Sequence, residues 1–356
     1  MTHAAGVAEQ LTSNDVLVDA MATVEVGLWR AVEAVRGTAQ ADIDAGSATL
    51  GWQGRGVLVD ASLSTAAPHI SLVSGGTFTV TRASDFAQSS AVVDQDVLDS
   101  ATMLVSACVL DALGIAMAGL EHRLTALAER QKYAPLQEGS STSSSASGLQ
   151  VVTWLRGVSR AKKRLRALDL PVQVGGTEQA LRALAEQLDA DAAAQLPDAL
   201  ARELRLSVPD APWRDTRWPL KEWADTLTQV VGNLALIVSE MADHEAPTEA
   251  TEEDVVCIAD SSREAAQRAT ELNAVIQMTS FGGVRAGSGS SPEWPTLQQL
   301  HVLALTTVAR ASEQLTVLVA HPDIIAKGTG SEIAAGWVDR VIGLDSDATR
   351  AWPLQL

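Results

Sequence analysis

Aromatic side chains, cysteines and positive charge are all scarce in this sequence, and each shortage excludes something. Phe, Tyr and Trp together make up 4% of 356 residues, with one Tyr and three Phe, so the aromatic-rich runs that mark strands are missing. The two cysteines, Cys108 and Cys257, lie far apart among apolar neighbours, which signals neither a disulfide framework nor paired metal ligands. Lys and Arg number 26 against 44 Asp and Glu, a formal charge of -18. That balance disfavours nucleic acid and anionic membrane as general partners, since both are bound by neutralising phosphates. No unbroken apolar run approaches the roughly 18 residues expected of a spanning helix, and the N-terminus lacks a basic, apolar leader. The expectation is a soluble, cytoplasmic chain with no metal and no organic cofactor.

Alanine, leucine, glutamate and arginine dominate what is present, and 46% of the residues are hydrophobic. Long segments repeat apolar residues at three and four, which predicts an all-α protein. Ser13-Asn14-Asp15 supplies capping residues before a stripe running from Val16 through Leu28 to Val32, and Gly37 is a natural terminator. Residues 46–90 break into Gly, Ser and Thr and read as loops and short helices, with a small hairpin conceivable around Phe78-Thr79-Val80. Helical patterns follow over Asp96–Arg130, Gly148–Leu168, Thr177–Asp191, Leu220–His244, Asp254–Met278 and Leu297–Ala320. Several such helices joined by short breaks imply an elongated bundle.

Between them lie stretches of different character. The serine run Ser140–Ser147 is a poor helix former, because serine bonds to its own backbone. Phe281–Gly289 is glycine-rich and holds Arg285, yet it lacks the Gly-Lys-Ser/Thr ending and the preceding strand of a phosphate loop. Arg156 to Arg166 is the one basic stretch, and its plain reading is a solvated helix face. Trp213, Trp218 and Trp223 cluster ahead of a long helix, where anchoring a helix junction or a subunit contact accounts for them. The six histidines show no ligand spacing. His244 beside Glu245 is the one acid/base pair worth testing for catalysis.

Four stretches carry a family resemblance, in order. The opening helix Val18-Asp19-Ala20-Met21-Ala22-Thr23-Val24-Glu25-Val26 is the first; Asp94-Gln95-Asp96-Val97-Leu98-Asp99-Ser100-Ala101 follows a Thr-Ser-Gln-Asp-Val-x-Asp-Thr-Ala pattern. Gln173-Val174-Gly175-Gly176-Thr177 then leads to Pro212-Trp213-Arg214-Asp215-Thr216-Arg217, and Glu293-Trp294 opens a later helix. Together they resemble the fumarase/aspartase superfamily, and within it the 3-carboxy-cis,cis-muconate cycloisomerases, over about three quarters of the chain. The resemblance implies a helical bundle of that type, with an N-terminal helical domain over residues 1–93, a long-helix bundle over 94–320 and a reduced C-terminal domain over 321–356. It also implies a homo-oligomer, with a tetramer favoured and a dimer possible.

The departures from the family pattern bear on activity. Where relatives hold a substrate carboxylate with Thr-Ser, this chain has Val93 and Asp94, a side chain that cannot donate and one that repels an anion. The Gly-Arg-Thr-(His or Trp)-x-Gln segment is replaced by the serine run. The mobile loop with its basic serine and its lysine is replaced by the short acidic Ala242–Asp254. Candidate substrate-binding residues are therefore Gln95, Asp96, Ser143, Ser145, Gln173 and Gly175, each with a plainer reading as a cap, a packing turn or a solvent loop. The resulting expectation is a diverged relative, a repurposed lyase or cyclase acting on a small, carboxylated molecule. The alternatives are a catalytically inactive scaffold or regulatory homologue, and retained cycloisomerase activity.

Overall fold

The computed structural model describes residues 2–37, 94–133, 148–245, 252–279, 292–320 and 332–345. These hold ten helices: α1 (Thr2–Leu11), α2 (Asn14–Val35), α3 (Asp94–Arg130), α4 (Gly148–Arg166), α5 (Glu178–Leu188), α6 (Ala190–Leu204), α7 (Trp218–Glu245), α8 (Glu252–Met278), α9 (Glu293–Ala320) and α10 (Glu332–Asp345). The all-α expectation is borne out. Among the described residues the sole β feature is an isolated parallel bridge between Pro171 and Ser207. The loop and hairpin expectation for residues 46–90, the serine run and Phe281–Gly289 lie outside the described residues.

Helix boundaries follow local chemistry. The Ser13 side chain accepts the Val16 N–H at 3.3 Å and caps α2, while Gly37 follows the helix at φ +75°, a backbone region that glycine enters without a Cβ penalty. The helix expected over Thr177–Asp191 is α5, which ends at Leu188, and α6 follows it over Ala190–Leu204, where no helix was expected. Asp189 breaks them at φ 64° and at the same time caps α6, accepting the Ala192 N–H at 2.9 Å. Helix α6 carries Pro197 in its interior. Proline there removes one backbone bond, so the sequence pattern reads as a helix end although packing carries the helix through it.

The long helices α3, α7, α8 and α9, with α4 and α10, enclose one apolar core. Its members include Leu110, Leu113, Met117, Trp154, Trp223, Leu227, Leu234 and Leu300, all nearly inaccessible to water. A second cluster joins α2, α5, α6 and the first turns of α3 through Met21, Leu28, Val97, Ala101, Leu196 and Leu200. Helix α3 runs through both. By length and composition α3 and α9 are each apolar enough to cross a membrane, which a search for an unbroken apolar run misses. The apolar window of α3 is 67% buried within the protein, as a core helix should be, whereas that of α9 is 33% buried.

Candidate functional site

Four of the residues singled out from the sequence, Gln95, Asp96, Gln173 and Gly175, converge where the two clusters meet, at the head of α3. There Leu170–Thr177 runs extended beside 207–217, held by Val172 N–H to Ser207 O (3.1 Å) and Ser207 N–H to Leu170 O (3.0 Å). Two backbone bonds cannot satisfy a buried segment of this length, so side chains complete it. Ser100 from α3 accepts the Gln173 N–H at 2.8 Å and donates to the Gln173 carbonyl at 3.2 Å. The Gln173 side-chain oxygen accepts the Trp213 N–H at 2.8 Å, and the Trp213 indole donates to Val172 O at 3.0 Å.

Asp96 ties the same segment to α3 one turn earlier. Its Oδ2 accepts the N–H groups of Gly175 (3.0 Å) and Gly176 (3.3 Å). Both glycines are required. Gly175 sits at φ +71°, and a Cβ there would lie 2.5 Å from Leu181; a Cβ on Gly176 would lie 2.7 Å from Asp96 Oδ1. Burial pushes the Asp96 carboxyl above the ordinary carboxylate range, against the opposing pull of the Gly176 amide, and nearby Asp99 adds to the rise. Arg214 and the Gln173 amide pull the other way. Neither Asp96 Oδ1 nor Gln173 Nε2, however, meets strict hydrogen-bond geometry with a described residue.

A buried ion triad closes the junction. Arg217 donates from Nε and Nη2 to the two oxygens of Glu293 (2.8 and 2.5 Å) and from Nη1 to Asp99 Oδ2 (2.5 Å). Its guanidinium also lies 5.2 Å from the Trp213 ring centre. Burial opposes the charged form, yet Asp99 and Glu293 outweigh it and hold Arg217 protonated above its usual range. Asp99 in turn accepts from Gln95 Nε2 at 2.6 Å. Further along α9, His301 is fully buried and accepts the Trp223 indole N–H at its Nε2 (2.7 Å); burial lowers its pKa to about 3, so the ring is neutral.

Gln95, Asp96, Gln173 and Gly175 are thus brought into one cluster, while Ser143 and Ser145 lie outside the described residues. His244 and Glu245 end α7, whose first residue, Trp218, adjoins the triad. A helix of that length carries them roughly 39 Å from the junction within one chain. Sequence reasoning did not single out Asp99, Ser100, Arg217 or Glu293 as site residues. Each stands inside a stretch that carries the family pattern, and that was the available signal; only Asp99 and Ser100 are polar residues inside an apolar helix. Among the described residues no three His, Cys, Asp or Glu side chains gather as a metal site requires.

No family model matches the chain. Over 163 residues it is 31% identical to a 3-carboxy-cis,cis-muconate cycloisomerase of Bradyrhizobium diazoefficiens, a match covering 42% of this chain and 33% of the relative. A second such cycloisomerase, from Pseudomonas aeruginosa, is 34% identical over 147 residues, covering 39% of this chain and 31% of the relative. The matches therefore span about a third of the curated relatives' length. Among solved structures, a 3-carboxy-cis,cis-muconate lactonizing enzyme from Pseudomonas putida superimposes with a TM-score of 0.62 at 21% identity, covering 96% of this chain and 78% of that one. A fumarate lyase from Mesorhizobium sp. BNC1 gives 0.62 at 20% identity, covering 87% and 74%. The resemblance to the fumarase/aspartase superfamily and its muconate cycloisomerases is borne out: in sequence over two fifths of the chain, in fold over nearly all of it.

Proposed function

We propose that this fumarase/aspartase-type chain is a scaffold or regulatory homologue that has lost the cycloisomerase reaction and works by assembling with copies of itself. One observation carries the reading: Gln95, Asp96, Gln173 and Gly175, the described residues marked as substrate contacts, all direct hydrogen bonds into their own chain. Their polar groups lock α3 to two crossing segments. The sequence supports the same conclusion, because Val93 and Asp94 cannot receive a carboxylate, and chemistry through an enolate-like carbanion needs cationic or donor groups where charge develops. Assembly is supported by α9, of whose apolar window only 33% is buried within the chain, and by Met278 and Val317, exposed on α8 and α9. A homotetramer, or failing that a dimer, covers this surface in a soluble, cytoplasmic protein.

Incubation with 3-carboxy-cis,cis-muconate, followed by ultraviolet loss of the diene, tests the loss of activity: no turnover is expected, and turnover refutes the reading. Light scattering on the eluting protein tests assembly, with a monomer as the contrary result. A second reading, a repurposed lyase or cyclase, draws on the buried Asp96 carboxyl, which burial pushes upward, beside Gln173 at the junction. It requires a small carboxylated molecule to raise the melting temperature of the native chain and not that of Asp96→Asn.

A further inference from the structure

The basic stretch that reads from sequence as a solvated face is solvated at Arg160, Lys163 and Arg164, and part of it borders a groove. Helix α4 contains no Asp or Glu and six cations, Arg156, Arg160, Lys162, Lys163, Arg164 and Arg166, in a chain of net charge -18. Of these, Arg156, Arg160 and Arg164 line a groove of about 650 Å³ between α4, α7 and α10. None of its lining residues is acidic. Among the described residues Arg160 and Arg164 have no ion-pair partner.

The groove has unlike sides. The Lys132 ammonium binds Asp339 of α10 at 2.5 Å, and Gly148 at the start of α4 sits against the Gln131 carbonyl, so α10 crosses the beginning of α4. This crossing brings Trp337, half exposed and with the Arg340 guanidinium 5.4 Å from its ring centre, to the groove. Arginines four residues apart stand on one helix face about 6 Å apart, so the row spans about 12 Å. The opposite wall offers the amides of Gln229 and Asn233, with Gly232 between them. A Cβ on Gly232 would meet nothing within 4 Å, so this mid-helix glycine leaves the groove open without relieving any clash in the chain. Glycine weakens a helix interior, and nothing in the packing here offsets that.

We infer that this groove binds an elongated small organic polyanion, with phosphate or carboxylate groups on Arg160 and Arg164 and a flat ring against Trp337. Guanidinium forks match both oxyanions in paired geometry, and the volume falls in the range of small-ligand sites rather than of a docked helix. The inference is independent of whether the chain retains a reaction.

Calorimetric titration of the purified full chain with ATP in low salt, beside tripolyphosphate, adenosine and polyglutamate, tests it. ATP and tripolyphosphate are expected to bind and adenosine is not; Trp337→Ala weakens ATP alone. The double variant R160E/R164E is expected to weaken ATP at least about tenfold, the loss of one charge-assisted contact or more. Gly232→Met, whose Cβ meets nothing within 4 Å and whose side chain extends toward the groove, is expected to do the same in a chain whose circular dichroism is unchanged and whose melting is not lowered. Absence of ATP and tripolyphosphate binding at millimolar concentration overturns the inference, as does equal affinity in both variants. Polyglutamate binding that depends on the groove while ATP does not bind would assign it to an acidic protein segment and likewise overturn it.

Discussion

Helix α3 passes through two environments. In its first turns it buries Asp96, Asp99 and Ser100 close together; from Met103 onward the buried positions are mostly apolar, among them Ala107, Leu110, Leu113, Met117, Leu120 and Leu124, with Ser106, Asp111 and Glu121 spaced between them and Glu121 paired with buried Lys162. The lower part is held by non-directional burial, worth roughly 25 cal/mol per Å² of apolar surface, in which one aliphatic side chain can replace another of similar volume. The head is held by directional contacts among charges that are costly to bury and tolerate no missing member. The same helix thus depends mainly on shape and volume in one half, the Glu121–Lys162 pair apart, and on a complete set of partners in the other.

The sharpest way to break that contrast is to remove the cation. Arg217→Ala leaves Asp99 and Glu293 buried without their partner and is expected to cost about 3–5 kcal/mol by urea denaturation. If the loss falls below that of an ordinary surface change, the head is not held by its charges. Acid titration probes the boundary at His301. Its folded pKa, about 3, lies below the unfolded value of 6.5, so its contribution is complete above the unfolded value and is lost as pH falls toward the folded one. The slope is at most about 1.4 kcal/mol per pH unit. His301→Gln, which still accepts the Trp223 N–H, should make the acid limb of stability shallower between those two values; an unchanged limb would show that His301 does not titrate as its burial requires.

Gly175→Ala adds a methyl against Leu181 at positive φ and should cost about 1–3 kcal/mol in thermal melting, a strain the bundle has no counterpart for. At the mild end, Leu227→Ile in the bundle keeps its volume and should cost less than about 1.5 kcal/mol. A loss at Leu227 that matched the one at Arg217 would erase the distinction between the two regions.

The two regions also differ in how far they can be read from the chain alone. The buried side of α7, through Trp223, Leu227, Val230, Val231, Leu234, Ile237, Val238 and Met241, follows from its spacing, and every one of these side chains is buried. Ser13 was legible as a cap because a cap is a contact between near neighbours. Gln95, Asp96, Gln173 and Gly175 were legible only as members of a family pattern. Their partners were not, because Asp96 and Gly175 stand 79 residues apart and Arg217 and Asp99 stand 118 apart. The basic stretch of α4 was legible as a charged helix face, but nothing local marks that α7 and α10 wall it into a groove.

The sequence by itself determined where the helices lie and which stripe of each is apolar, because those properties rest on residues three and four positions apart. Only the tertiary structure decided which buried charge meets which, that Asp96 serves two glycine amides, and that three arginines line one side of a groove. Burial and pairing of polar groups depend on segments brought together from across the chain, and no local pattern records how those segments cross.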